Sequence, residues 1–266
     1  MPQTLPKMSY SGYAEPTFDT TRGRPLRGFD DSMSQSVSPT IFILEDDPDI
    51  AGLVKHHLQI AGFGVSWFPT SAGLMDEMHA RRPALVILDI MVPGNSGLDI
   101  AKAIRANSAL APIPIVFVTA RAAESDRLRG FELGGDDYIT KPFSPKEVVA
   151  RVKAVLRRFE QPMQKEIVKT GDLVIDTAAM RVTTRGEQVV TTATEFRLIE
   201  FLATHPGRVF TRKALLDAVW HDTAFVTPRI VDVYIRRLRE KIERDPEHPR
   251  HIHTVRGAGY MFEVRK

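Results

Sequence analysis

Thr40-Ile41-Phe42-Ile43-Leu44-Glu45-Asp46-Asp47-Pro48 is the stretch on which the fold turns. Five apolar or β-branched residues without polar alternation describe a strand buried on both faces, and the run stops on three acids. Pro48 opens a helix in which Ile50, Leu53, Val54, Leu58 and Ile60 recur near helical spacing, and Gly62 closes it. The signature returns down the chain. Residues 84–88 (Ala-Leu-Val-Ile-Leu) end at Asp89, 113–118 (Ile-Pro-Ile-Val-Phe-Val) end at Thr119, and Tyr138-Ile139-Thr140 ends at Lys141-Pro142. Helical patterns over 97–107, 122–133 and 144–158 lie between them, and weaker elements fill 64–82. Strand and helix alternating at this length predict a doubly wound, five-stranded parallel α/β sheet.

Glu45, Asp46, Asp89, Thr119 and Lys141 therefore all stand at or just past the C-terminal ends of buried strands. In such a sheet those ends share one crevice, the usual ligand site. Three neighbouring carboxylates repel one another; a hard cation relieves them, and an oxygen-only donor set suits Mg²⁺. Lys141 adds a compact positive charge suited to a phosphoryl group, and Thr119 adds a hydroxyl. Taken singly, Thr119 and Tyr138 read as ordinary strand residues and Lys141 as a solvated lysine at an X-Pro turn. Asp47, the third acid of the run, reads equally as a participant and as a bystander.

The motifs Ile-Leu-Glu-Asp-Asp (43–47), Leu-Asp-Ile-Met-Val-Pro-Gly-Asn-Ser-Gly (88–97), Val-Thr-Ala (118–120) and Asp-Asp-Tyr-Ile-Thr-Lys-Pro-Phe (136–143) come in that order. Together they resemble the receiver domain of response regulators, over about 39–158. The resemblance implies a flavodoxin-like fold with Asp89 as phosphoacceptor, fed by a sensor histidine kinase. It implies Mg²⁺ held by Glu45, Asp46, Asp89 and the backbone carbonyl of Met91, Lys141 on the phosphoryl oxygens, and Thr119 and Tyr138 as switch residues. The family often has Asp where Ser96 stands, a departure of small expected effect.

After a polar joint at 159–166 the pattern changes to short strands over 167–190, with Gly171 and Gly186 as turn points. Helices follow near 194–204, 211–220 and 227–243, then a hairpin from Ile252 to Val264. This is a separate α+β module, 167–266. In 227–243, Ile230, Val233, Leu238 and Ile242 fall near one stripe while Arg229, Arg236, Arg237, Arg239 and Lys241 project elsewhere. Alone this reads as a solvated basic face. With Thr192-Ala-Thr-Glu-Phe-Arg-Leu198 and Thr254-Val-Arg-Gly-Ala-Gly-Tyr-Met-Phe262 it resembles the winged-helix output domain of the OmpR/PhoB class.

That resemblance implies a recognition helix in the major groove of promoter DNA and a wing carrying Thr254 and Arg256 toward the minor groove. If Ile230, Leu238 and Ile242 are buried, Val233 and Arg237 share a side and are the expected base readers. Arg229, Arg236 and Arg239 are the expected phosphate contacts. His221 replaces the glycine usual after Trp220, so the following loop, and any contact with RNA polymerase made there, departs from the pattern. His248, His251 and His253 have no carboxylate or cysteine set to make a metal site, and read as surface residues. The family also implies a symmetric receiver dimer on activation. Arg127–Glu147 and Asp137–Arg151 would pair across it around Leu128, Phe131 and Val149, and DNA would carry tandem half-sites. Within one chain, Glu147 and Arg151 are also spaced for an internal i, i+4 pair.

Composition agrees. The 266 residues suit two domains, and 43% hydrophobic residues give each a core. No cysteine is present, which excludes disulfides and thiolate zinc sites. The net charge of +3 sits wholly in 166–266, where 17 basic residues face 14 acidic ones. Residues 1–38, rich in Ser, Pro, Gly and Thr, read as a disordered tail. Residues 1–32 are expected to be dispensable, with Met33 a candidate start. No signal-peptide core or membrane-spanning run is legible, so a cytoplasmic protein without membrane partners is expected.

Two other classes fit less well. A haloacid-dehalogenase-like phosphatase carries Asp-x-Asp after its first strand, whereas Asp89 follows a later strand and precedes Ile-Met-Val-Pro-Gly. A protein-binding adaptor would not require Arg236, Arg237, Arg239 and Arg256.

Overall fold

A computed structural model describes residues 38–120, 124–160, 167–220 and 227–264. Residues 1–37 of the tail read over 1–38, residues 161–166 of the polar joint read over 159–166, and His221 with its loop (221–226) lie outside these residues; 159 and 160 are helical.

The first half alternates β1 (Thr40–Leu44), α1 (Pro48–Ile60), β2 (Gly64–Phe68), α2 (Leu74–Arg81), β3 (Leu85–Asp89), α3 (Gly97–Ala106), β4 (Ile115–Thr119), α4 (Glu124–Glu132), β5 (Asp137–Thr140) and α5 (Pro145–Glu160). The five strands pair in parallel in the order β2-β1-β3-β4-β5. Every C-terminal end thus points the same way, and the order reverses between β1 and β3, where a crevice forms. The strand residues of β3 and β4 are buried throughout, as continuous apolar runs require when helices cover both faces. Asp47 caps α1, its carboxylate accepting the backbone N–H groups of Asp49 (2.9 Å) and Ile50 (3.1 Å). Ser96 caps α3 in the same way, through Asp99 N–H.

The second half places β6 (Ile167–Thr170), β7 (Leu173–Asp176), β8 (Arg181–Thr184) and β9 (Glu187–Val189) in an antiparallel sheet. Gly171 and Gly186 adopt left-handed φ values of 56° and 80° at its turns. There follow α6 (Ala193–Ala203), β10 (Val209–Phe210), α7 (Arg212–Trp220), α8 (Pro228–Ile242), β11 (Ile252–Val255) and β12 (Gly259–Phe262). The last strands form a three-stranded sheet, β10-β12-β11. A capping box starts α6: Glu195 N–H donates to the Thr192 hydroxyl and Thr192 N–H to the Glu195 carboxylate. Helix α8 buries Ile230, Val231, Tyr234, Ile235, Leu238 and Ile242, a wider stripe than expected because α6 and α7 both pack on it. Val233 is only half-buried, outside that stripe.

The halves are continuous in space. One apolar cluster runs from Phe42, Leu88 and Phe117 through Phe131 and Tyr138 into Tyr234, Trp220 and Phe196. Helix α4 packs on α8 and α5 on α7. Among the described residues no helix is long and apolar enough to cross a membrane.

Gly97 sets the approach of α3 to β3. A Cβ there would lie 2.2 Å from the backbone oxygen of Asp89. Gly97→Ala is expected to cost about 1–3 kcal/mol through this overlap, measured by urea unfolding of the whole chain. An unchanged midpoint would mean α3 can back away from β3 at no cost.

Candidate functional site

The chain reverses out of β1 at Glu45 and out of β3 at Asp89, and these neighbouring strands bring the carboxylates together. Glu45 and Asp89 are each 3% exposed, whereas Asp46 faces solvent. One carboxylate oxygen from each of Glu45, Asp46 and Asp89 lies within 4.8 Å of the others. Lys141, just past β5, spans the crevice. Its Nζ donates to Glu45 Oε1 (2.7 Å) and to Asp89 Oδ2 (2.6 Å). The other Asp89 oxygen, Oδ1, accepts the Met91 N–H at 2.8 Å.

Burial pushes the Glu45 carboxyl above its ordinary pKa, and Asp89 adds to the rise; the bond and charge of Lys141 oppose it. For Lys141, burial alone would lower the ammonium's pKa, but its bonds to Asp89 and Glu45 outweigh burial and raise it. The cluster is thus a compact anionic pocket whose charge is matched in part by a lysine. Hard oxygen donors at this spacing fit a small divalent cation.

Thr119 ends β4 fully buried, and Tyr138 in β5 is also buried, its ring 6.3 Å from that of Phe117. The residues expected to pair across a dimer are differently engaged within this chain. Arg151 bonds Asp137 (3.2 Å) and Glu147 (3.1 Å) of its own chain. Phe131, expected at the centre of that interface, is 1% exposed in the chain's own core. Leu128 and Val149 are half-buried against the two receiver clusters, and Arg127 is half-buried.

The basic helix divides into residues exposed to solvent and residues committed to other parts of the fold. Arg229 is exposed, and Arg236 is exposed with an i, i+4 bond to Glu240 (2.9 Å). Arg256 and Thr254 are exposed on the wing. Arg239 instead braces the wing, donating to the Ile252 carbonyl (3.0 and 2.7 Å) and the Thr254 hydroxyl (2.8 Å). Arg237 and Lys241 turn inward to Glu195, at 2.7 and 2.5 Å. Burial would raise the pKa of that carboxyl, but the two cations win and lower it. His251 corrects the surface reading: it is 4% exposed, its ring stacked on Phe262 at 6.1 Å.

Arg237 also donates to the Phe131 carbonyl at the end of α4 (3.1 Å). Beside it, the Tyr234 hydroxyl donates to the Gly135 carbonyl. The Thr194 hydroxyl, in the first turn of α6, donates to Asp136 Oδ1. Asp136 is fully buried, and its Oδ2 accepts the Ile115 N–H (2.8 Å) and pairs with Arg105 (3.1 Å). Arg105 in turn donates to the carbonyls of Ala111, Ile113 and Gly134. Polar groups from the two halves thus meet in one buried network. Sequence reasoning missed Asp136, Arg105, Thr194 and Tyr234 as a set. Its only trace was an acid immediately before a buried strand, a place where a charge needs a partner.

The family description "Response regulator receiver domain" matches residues 41–153, and "Transcriptional regulatory protein, C terminal" matches 186–262. The phosphate regulon transcriptional regulatory protein PhoB of Escherichia coli K12 is 42% identical over 225 residues, 85% of this chain and 98% of that protein. The DNA-binding response regulator MtrA of Mycolicibacterium smegmatis is 42% identical over 220 residues, 83% of this chain and 95% of that one. The solved structure of a RitR mutant superposes with a TM-score of 0.71 at 26% identity, covering 85% of this chain and all of that one. With an acidic receiver pocket and a winged helix on one chain, the protein belongs to the two-component response regulators of the OmpR/PhoB class, phosphorylation-dependent regulators of transcription.

Proposed function

We propose that Asp89 is the phosphoacceptor, that Glu45, Asp46, Asp89 and the Met91 carbonyl hold Mg²⁺, and that phosphorylation frees α8 for promoter DNA. The observation that carries this reading is the three-carboxylate cluster bridged by Lys141 at the ends of β1, β3 and β5. A sensor histidine kinase supplies the phosphoryl group. An Asp89 oxygen forms the new P–O bond as the P–N bond of the phosphohistidine breaks, and Lys141 follows the phosphoryl oxygens. A bound Mg²⁺ supplies charge neutralisation at those oxygens. Thr119 offers its hydroxyl to the same group, and Tyr138 repacks in response. The protein modifies itself and turns over no external substrate, and it works in the cytoplasm.

On the DNA side, Arg237 and Val233 read bases, Arg229 and Arg236 grip phosphates, Arg239 holds the wing for them, and Thr254 and Arg256 meet the neighbouring groove. Arg237 cannot serve the Phe131 carbonyl and a base at once, so the closed arrangement competes with DNA. The end of α4 that holds Arg237 also belongs to the face expected to pair in a receiver dimer. Release of α8 therefore exposes Arg127, Leu128 and their neighbours, while Asp137, Glu147, Val149 and Arg151 supply the rest of that face. Dimers bind tandem half-sites, from which RNA polymerase is engaged.

Three outcomes are expected. Incubated with acetyl phosphate and Mg²⁺, the wild type incorporates one phosphoryl group and Asp89→Asn none; equal labelling would place the acceptor elsewhere. Thr194→Val removes one charge-assisted bond across the halves without touching the DNA-facing surface. It should tighten DNA binding of the unphosphorylated protein roughly tenfold, measured by fluorescence anisotropy, and leave the phosphorylated protein unchanged. No tightening would mean this bond does not restrain α8.

Lys141→Met leaves the raised Glu45 carboxyl without its cation, so its pKa climbs further. A group with a raised folded pKa stabilises at low pH and loses that contribution as pH rises through it. The variant's deficit relative to wild type should therefore be larger at pH 7 than at pH 5 in urea unfolding. A deficit independent of pH would mean Lys141 does not compensate this carboxylate.

A further inference from the structure

Trp67 lies in β2, the edge strand beside β1, register-paired with Ile43. It is 37% exposed, an unusual place for so large an apolar ring. Its indole Nε1–H donates to the backbone carbonyl of Glu45 at 2.8 Å. The N–H of the same Glu45 donates to the Phe68 carbonyl at 3.1 Å. Two residues on, Asp47 is fixed by capping α1. The segment 45–47 is therefore held from both sides of Asp46, the one exposed carboxylate of the cluster.

We propose that Trp67 is a positioning residue for the cation site: its N–H fixes the Glu45–Asp46 peptide and so aims the Asp46 carboxylate at Glu45 and Asp89. The reason is geometric. A peptide unit is planar, so anchoring the Glu45 oxygen fixes the Asp46 N–H direction and the place where its side chain leaves the chain. Like charges within 4.8 Å drive this segment apart when no cation is present. A hydrogen bond that resists the spreading removes part of the reorganisation that cation binding would otherwise require. Phe68, the next residue, cannot do this, since its ring carries no donor and packs on Phe42 (5.2 Å) at the edge of the core.

This inference rests on the reading of Glu45, Asp46 and Asp89 as the Mg²⁺ site, and the test separates the two. Trp67→Phe keeps an aromatic ring and deletes the donor. Mn²⁺ binding followed by electron paramagnetic resonance should weaken about two- to tenfold, the worth of one hydrogen bond. The Mg²⁺ concentration for half-maximal labelling by acetyl phosphate should rise by the same factor, while the rate at saturating Mg²⁺ stays within about twofold of wild type. In the wild type, the indole N–H resonance of Trp67 should shift on Mg²⁺ addition while that of Trp220, the other tryptophan, stays in place. Equal Mn²⁺ affinities, a Trp67 resonance indifferent to Mg²⁺, or a labelling rate lost at every Mg²⁺ concentration would each overturn the positioning role. Wild-type protein that binds no Mn²⁺ would overturn the site reading itself, and this inference with it.

Discussion

The bridge from Lys141 to Glu45 and Asp89 is the interaction on which the rest turns. A parallel sheet delivers its strand ends to one crevice, and here that geometry collects carboxylates that repel one another. Burial makes the repulsion worse by weakening solvent screening. The ammonium of Lys141 offsets it, and so ties the end of β5 to the ends of β1 and β3. Whatever draws Lys141 away pulls on β5.

Strand β5 is only four residues long, Asp137–Thr140. Lys141 follows its last residue, and Asp136 precedes its first. Asp136 is where Thr194 of the winged-helix half is bonded, flanked by the Gly135 carbonyl that accepts from Tyr234. Tyr138 lies between, buried against Phe117 and close to Gly130 of α4. One short, buried strand therefore joins the acidic pocket to the contacts that hold α8. A close-packed strand transmits displacement poorly by bending and well by moving as a unit. That is a physical route from the acidic pocket at one end of the sheet to the contacts at the other.

The receiver was legible because β1, β3 and β4 are apolar runs whose closing polar residues fall at the crevice. Glu45, Asp89 and Lys141 could be placed together from that pattern, and the structure puts them within hydrogen-bond distance. The helices of the second half also follow from local signals, whereas the capping role of Asp47 emerged only with the structure. Contacts between the halves were not legible, because no periodicity encodes which faces of two modules meet. Arg237 illustrates the gap: its helix position suits DNA, but its partners in this arrangement are Glu195 and the Phe131 carbonyl, both remote in sequence. His251 was misjudged because a histidine beside exposed basic residues looks solvated until its stacking on Phe262 is seen. Trp67 escaped notice because its partner is a backbone carbonyl, which has no sequence signature.

The coupling of the acidic pocket to α8 is tested most directly by amide hydrogen exchange. Beryllofluoride with Mg²⁺ would be added to mimic the phosphoryl group, and exchange followed along α8 and at Gly134–Asp136. Faster exchange in both segments of the wild type, and none of it in Asp89→Asn, is the expected result. Unchanged protection of α8 in wild-type protein that has bound beryllofluoride would contradict the coupling.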